Sequence, residues 1–484
     1  MPTAKLIIRD EVNIKFENVD PSTRRKMSAA VKYMLPFAYH MPAYKLGRWD
    51  GMIRFCDVGG RTYLNLFDTL LPIVQRAGYE IDIEDHRQHW DINLNQVSED
   101  YLSDIKWPPK HTHAGQAIRL RDYQVEVINN FVGHLQSLQE VATGAGKTII
   151  TATLSKLVEQ YGRSIVVVPN KSLVTQTEED YNNIGLDVGV FYGDRKEYGH
   201  QHTICTWQSL NVLLKKSKKK TADINIQEFI EGVICIMIDE VHQAKADVLK
   251  ELLTGVFAHI PIRWGLTGTI PKEDYEFCSL KASLGEVINS VSAHSLQEKG
   301  VLSNCEVKVL QFKDDVEYPN YASELKYLVS DTKRIDYLST VIDDISKTGN
   351  TLVLIDRIKT GDMLIERLPH AVFVKGATKN EDRKETYDEV ATSDTSLIVA
   401  TYGVASVGIN IPRIFNLVLV EPGKSFVRVI QSIGRGIRKA HDKNFVQIWD
   451  ITSNCKYSKR HLTTRKKYYR EAQYPFDIEK VSYK

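Results

Sequence analysis

Lys147 and Thr148 stand directly behind two glycines in the run Val141-Ala142-Thr143-Gly144-Ala145-Gly146-Lys147-Thr148. Gly144 and Gly146 have no Cβ, so backbone N–H groups there can turn toward an anion. A lysine amine in that place reaches the outer phosphates of a nucleotide, and a threonine hydroxyl can ligand Mg²⁺. Thr143 and Ala145 complete the loop. A helix from residue 149 to about 161 would aim its positive end at the same anion. The pattern G-x-x-x-x-G-K-[ST] asks for glycine where this chain has Val141, yet Gly144 and Gly146 still supply the turn. Gly-Lys-Thr strings also arise by chance, so the loop takes its meaning from what lies downstream.

Downstream, the apolar run 233–238 leads straight into Asp239-Glu240-Val241-His242. Asp239 at such a strand end can hold Mg²⁺, directly or through water. Glu240 beside it can orient and deprotonate an attacking water. An acidic strand end can equally cap the next helix. The spacing of roughly 90 residues from the loop favours the nucleotide reading. Further on, Gln431-Ser432-Ile433-Gly434-Arg435-Gly436-Ile437-Arg438 sets two arginines three apart, which on a helix share a face. Guanidinium groups supply the positive charge that a phosphoryl-transfer transition state requires; the plainer reading is a basic helix end pairing with surface acids.

Holding these groups together requires strands whose ends meet. From residue 118 short apolar runs alternate with helix-length segments, at 165–168, 203–206, 233–238 and 263–267. After a junction near 290–306 the pattern resumes at 307–312, 351–355, 372–374, 396–400, 417–420 and 446–449. Runs without alternation predict strands covered on both faces, hence parallel sheets with helices on each side. Ligands then belong at the C-terminal strand ends. The first hundred residues predict a separate small α+β unit. Val12, Ile14 and Phe16 alternate with polar residues, and Asp20-Pro21 opens a helix running to about Met34. Strands at 52–57 and 61–66 pair across Gly59-Gly60, a helix from about Phe67 ends at Gly78, and 79–83 alternates again. The polar stretch with Pro108-Pro109 reads as a linker. The boundaries expected are 1–97, a linker at 98–116, α/β domains at 117–295 and 296–454, and a tail at 455–484.

The 484 residues suffice for two or three domains, and 43% hydrophobic with 26% charged residues is a globular composition. No apolar run is long enough for a membrane span, and the first residues show no signal-peptide pattern. Cys56, Cys205, Cys235, Cys278, Cys305 and Cys455 form no C-x-x-C pair, which argues against structural zinc or a disulfide framework and for a reducing cytoplasm. Net charge is only +2, but residues 455–484 carry nine Lys/Arg against three Asp/Glu, leaving −4 for the rest. That local excess, with Arg460, Lys466 and Lys467 among Tyr457, Tyr468 and Tyr469, suits phosphate contact plus base stacking. A solvated amphipathic helix docked on the preceding domain fits the same residues. The run Lys215-Lys216-Ser217-Lys218-Lys219-Lys220 reads as an exposed loop.

Taken together, these motifs resemble a superfamily 2 helicase of the DExH type, over about residues 120–439. Leu120-Arg121-Asp122-Tyr123-Gln124 is similar to that family's adenine-sensing element, which implies that Gln124 reads the base. Leu266-Thr267-Gly268-Thr269 is similar to the motif linking hydrolysis to strand binding, so Thr267 and Thr269 are implied as coupling residues, with His242 and Gln431. Thr401 with Gly408-Ile409-Asn410 resembles motif V, and 431–438 resembles motif VI. The resemblance implies two RecA-like domains, ATP and Mg²⁺ in the cleft between them, and nucleic acid across both. Strand contacts implied are Pro169, Asn170, Thr206, Gln208 and Thr401. Trp207 could stack on a base, although a tryptophan packed in the core is the commoner fate.

Tyr44-Lys45-Leu46-Gly47-Arg48-Trp49-Asp50-Gly51, with Arg54 shortly after, resembles the N-terminal domain of UvsW-type phage helicases. Those act on branched DNA, which implies fork reversal or branch migration in the host cytoplasm. Arg48 and Arg54 suit phosphates, and Trp49 suits a base or simply the packing of its small domain. The expectation is an ATP-driven DNA helicase on forked or branched DNA. Its rivals are a duplex translocase without strand separation, an RNA helicase, and a binding clamp with an inactive nucleotide site.

Overall fold

The computed structural model describes residues 2–109, 113–241, 246–376, 378, 386–390, 392–406, 411 and 413–483. Contacts divide the chain into two compact units: Met1–Val141 with Gly146–Ser290, and Ala142–Ala145 with Val291–Lys484.

The first unit begins with strands β1 (Thr3–Ile8), β2 (Asn13–Glu17), β3 (Lys32–Met34), β4 (Met52–Arg54), β5 (Arg61–Tyr63) and β6 (Glu80–Asp85). Four of them form a sheet in the order β5-β2-β1-β6, with β6 parallel to β1 and β2 antiparallel to it. The alternation of Ile14 and Phe16 puts both in the core with Leu6, Met27, Leu70 and Val74. Asp20 caps the helix Pro21–Ala30 as its sequence position predicts, accepting from Ser22 N and Thr23 N. That helix stops four residues short of Met34, because 32–34 leave it to pair with β4. The expected hairpin of 52–57 with 61–66 is therefore not formed as a ladder: β4 joins β3, and β5 joins β2. This small sheet is fastened to the parallel sheet that follows. Glu11 N donates to Ala258 O at 3.0 Å, and Gln136 Nε2 donates to Glu11 O at 2.8 Å.

The parallel sheet of the first unit comprises β7 (Gln136–Val141), β8 (Arg163–Val168), β9 (Val188–Tyr192), β10 (Arg195–Lys196), β11 (His202–Thr206), β12 (Val233–Asp239), β13 (Ile262–Thr267) and β14 (Glu286–Val291), in the order β10-β9-β11-β8-β12-β13-β7-β14. Strands β8, β11, β12, β13 and β7 run parallel, and β8, β11 and β13 are buried nearly end to end. Helices Lys147–Val158, Lys171–Asn183 and Trp207–Lys218 follow β7, β8 and β11, so each starts at a C-terminal strand end. Lys215 to Lys218 lie in the last of these helices rather than in a loop, where their charge complements the helix's negative end.

The second unit is built on β15 (Asn304–Phe312), β16 (Thr351–Ile355), β17 (Val372–Val374), β18 (Leu397–Thr401), β19 (Asn416–Val420), β20 (Phe445–Ser453) and β21 (Phe476–Val481), in the order β17-β18-β16-β19-β20-β15-β21. Every pairing is parallel. Two parallel-sheet domains behind a smaller α/β region is the architecture expected from the sequence. Residues 455–484, read as a tail, are part of this unit. The helix Lys456–Glu471 packs on the sheet, and β21 extends it beside β15. Arg465 is fully buried and grips Asp450 through Nε at 2.8 Å and NH2 at 2.9 Å, while Tyr469 donates to the same carboxylate at 2.7 Å. Among the described residues no helix is long and apolar enough to cross a membrane, and all six cysteines are free and buried.

Candidate nucleotide site and nucleic-acid surface

The phosphate-loop glycines have the conformation the loop needs: φ is +89° at Gly144 and +80° at Gly146. A Cβ on Gly146 would also sit 2.7 Å from Gln124 Nε2, so only glycine suits that position. Gln124 thus lies against the loop. Its Oε1 accepts from Arg121 N at 2.9 Å, which fixes the side chain at the start of helix Asp122–Gly133. Gly146 caps the helix that begins with Lys147, and Thr148 is its second residue.

Lys147 and Glu240 are 93 positions apart in sequence and in contact in the fold. Lys147 Nζ donates to Glu240 Oε1 at 2.6 Å, with both side chains about nine-tenths buried. The other oxygen, Oε2, accepts from Gly268 N at 3.3 Å. One carboxylate therefore ties the loop lysine to the turn after β13. Glu240 holds a left-handed backbone, φ +52°, unusual for a residue with a Cβ and a mark of a site the surroundings impose. Its N–H donates to Asp239 Oδ1 at 2.9 Å. Burial pushes the Asp239 carboxyl up from its ordinary range, and the Lys147 charge opposes that rise. Thr267 Oγ1 donates to Thr269 O at 2.8 Å and accepts from Thr269 N at 3.2 Å, closing the turn that presents Gly268. Thr269 Oγ1 is buried with no hydrogen-bond partner among the described residues. His242 lies outside the described residues, as does Gly408.

In the second unit, Gln431 is buried and Arg435 half-buried on the helix Phe426–Gly436. Arg438 does not share that helix's face. The helix ends at Gly436, and Arg438 forms an isolated antiparallel bridge with Leu302. The cause is local: Lys443 Nζ donates to Gly436 O at 2.5 Å and to Arg438 O at 2.9 Å, and Ser303 N donates to Ile437 O. These donors take carbonyls that a continuing helix would have used. Lys443 is 1% exposed, and no sequence signal singled it out; a lysine seven residues beyond a helix end, facing its free carbonyls, was the available clue. Thr401 is half-buried at the end of β18, its Oγ1 accepting from Val404 N at 3.3 Å.

Pro169, Asn170, Thr206 and Gln208 come together around one cavity of ≈ 620 Å³, whose lining also includes Tyr192 and Lys216. Asn170 Oδ1 caps helix Lys171–Asn183 through Leu173 N, and Thr206 Oγ1 caps helix Trp207–Lys218 through Ser209 N. Gln208 Nε2 donates to Pro169 O at 3.3 Å. Two helix N-termini thus open at one cavity, a setting that favours anions. Trp207 is absent from the lining and packs against the core of its domain, with its indole N–H buried and without a hydrogen-bond partner among the described residues.

The remaining candidates sit elsewhere. Arg48 is exposed. Trp49 is half-buried, donates to Met52 O at 3.0 Å, and packs with Leu35, Ala38 and Tyr275. Arg54 is exposed and forms a bidentate pair with Asp50. On helix Lys456–Glu471, Arg460 and Lys467 are exposed and Lys466 is half-buried.

Residues 117–272 match the family model for the res subunit of type III restriction enzymes, and residues 333–440 match the helicase conserved C-terminal domain. The chain is 23% identical over 452 residues to the ATP-dependent DNA helicase UvsW of Enterobacteria phage T4, spanning 88% of this chain and 86% of that protein. It is 19% identical over 382 residues to the general transcription and DNA repair factor IIH helicase/translocase subunit XPB of Schizosaccharomyces pombe, spanning 74% of this chain and 45% of that one. The structure of the ATP-dependent Type ISP restriction-modification enzyme LlaBIII bound to DNA superposes with a TM-score of 0.57 at 13% identity, over 86% of this chain and 36% of that one, a likeness of fold.

Proposed function

We propose that this chain, which belongs to the superfamily 2 helicases and hydrolyses ATP as they do, is a DNA motor acting at forks and other branched DNA. The single observation that supports the ATP-site assignment most directly is the Lys147–Glu240–Gly268 connection. In it the nucleotide-binding lysine, the water-activating carboxylate and the turn proposed to sense strand binding share one hydrogen-bonded path.

ATP binds at 143–148, with Gln124 against the adenine side and Lys147 on the outer phosphates. The donors for Mg²⁺ are oxygens alone, the Thr148 hydroxyl and the Asp239 carboxylate. That set suits an ion which keeps waters and shares the substrate's phosphates rather than one caged by protein. When bound, Mg²⁺ supplies charge neutralisation on the phosphates. Phosphate oxygens draw Lys147 away from Glu240, which frees the carboxylate to accept a proton from the attacking water. Arg435 and Arg438 stabilise the charge of the transition state. Thr267, Thr269, Gln431 and His242 couple the change to the strand-binding residues. The strand is held at Pro169, Asn170, Thr206, Gln208 and Thr401, with Arg460, Lys466 and Lys467 as further phosphate contacts. A change of grip between nucleotide states then moves the strand.

The likeness to a T4 DNA helicase favours DNA over RNA, and the resemblance carried by the Arg48-Trp49-Asp50-Gly51 element supports a branched substrate. The likeness to a helicase/translocase subunit favours one alternative, a duplex translocase that does not separate strands. ATP turnover and strand displacement on forks, four-way junctions, displacement loops and plain duplexes separate the two. Displacement confined to branched substrates is expected. Turnover on plain duplex without displacement would favour the translocase.

A further inference from the structure

Fifteen large hydrophobic side chains are exposed among the described residues, and six of them fall between positions 34 and 46: Met34, Phe37, Tyr39, Met41, Tyr44 and Leu46. Phe37, Tyr39 and Leu46 are 48%, 56% and 63% exposed. A soluble surface rarely gathers apolar groups so densely unless something covers them.

The segment is a built excursion. It leaves the first unit from β3 and returns on β4, the antiparallel pair Lys32–Met34 with Met52–Arg54. Between them lie two short helical turns, Ala38–His40 and Pro42–Lys45, held by Leu35 N to Gly51 O at 2.9 Å and Arg48 N to Ala43 O at 2.9 Å. Leu35, Ala38 and Trp49 point inward and pack on Tyr275. That anchoring frees the other aromatic residues to face outward. It also explains Trp49, which serves here as the foot of the loop.

Charge identifies what the face meets. Between residues 32 and 54 the chain carries Lys32, Lys45, Arg48 and Arg54, with His40, against a single acid, Asp50. Asp50 is already occupied by Arg54. Lys32, Lys45 and Arg48 are exposed. An apolar segment built for a protein core would not need those exposed cations. A segment of exposed aromatic residues interspersed with cations, its one acid already paired, matches a polyanion whose monomers have flat apolar faces.

We infer that the loop 35–51 is a stacking platform for unpaired DNA bases at a branch, with Phe37 and Tyr39 as the stacking rings and Lys45 and Arg48 on the flanking phosphates. This rests on the branched-DNA reading above and assigns the element that recognises the branch. The platform holds bases exposed where strands part, which plain duplex does not offer.

The test uses the full-length protein and a forked DNA carrying 2-aminopurine at the branch. Wild type should bind the fork and change the probe's fluorescence by stacking on it. Phe37→Ala/Tyr39→Ala should weaken fork binding about tenfold or more. It should also abolish the fluorescence change, while leaving the slope of log affinity against log salt as in wild type. Arg48→Ala should instead lower that slope by about one contact. Both aromatic side chains are exposed, and thermal unfolding verifies that the variant is folded. Fork affinity and probe signal unchanged in the double variant would overturn the platform and leave a protein partner as the occupant of this face. Wild type whose ATP turnover no DNA stimulates would overturn the motor reading itself, a different result.

Discussion

Glu240 accepts from Lys147 and from Gly268 with its two oxygens, so both are engaged. Removing its charge separates binding from chemistry. Glu240→Gln should bind a fluorescent ATP analogue with near-normal affinity and hydrolyse ATP about 10²–10⁴-fold more slowly, the usual weight of a general base. Retained hydrolysis would show that another group activates the water. Lys443 makes a residue-scale prediction of a different kind. A free lysine titrates near 10.4, whereas burial and the neighbouring Arg438 charge push Lys443 down to about 7. Between those values the unfolded chain binds a proton that the folded chain does not, so this group makes stability rise from about pH 7 to about pH 10. Lys443→Met lacks that rise. The stability lost by the substitution, measured by urea unfolding, should therefore be larger near pH 9.5 than near pH 7. Equal losses at both would contradict it.

At the scale of elements, what the sequence revealed and what it hid have physical causes. Strands β8, β12, β16 and β19 each carry an unbroken apolar run, and a run covered on both faces is easy to read. Strand β7, which leads into the glycine loop, is polar and gives no apolar run to read. Its Ser137 and Gln139 are fully buried, and they are tolerated by bonds to His134 O and Val127 O. The helix from Asp20 ends before Met34 although 31–34 has no breaker, because only pairing with β4 pulls those residues out. At the C-terminal end composition leaves two readings open, a basic tail for nucleic acid and a helix docked on the preceding domain; the structure has the docked helix, with Arg465 buried on Asp450. Removing Asp450 leaves that guanidinium uncompensated in the interior, so Asp450→Ala should cost about 3–5 kcal/mol of stability. Denaturant unfolding checks this, and a loss under about 1 kcal/mol would mean the pair is not a fastening of the second unit.

At the scale of the whole molecule, the residues proposed for the chemistry are distributed over two units that each fold around their own parallel sheet. Lys147, Asp239 and Glu240 belong to the first, and Thr401, Arg435 and Arg438 to the second. The motif residues stand out in the sequence because phosphate chemistry permits few side chains at few spacings, and Tyr44–Gly51 stands out by its resemblance. Phe37, Tyr39 and Lys443 do not, because ordinary residues act there through where the backbone puts them.

The measurement that bears most directly on this account is steady-state ATP turnover with and without forked DNA, in wild type and in Lys147→Ala. Wild type should hydrolyse ATP faster when the fork is added, and the variant should show no DNA-stimulated turnover at all. A variant that hydrolyses ATP like wild type, or a wild type indifferent to every nucleic acid offered, would contradict it.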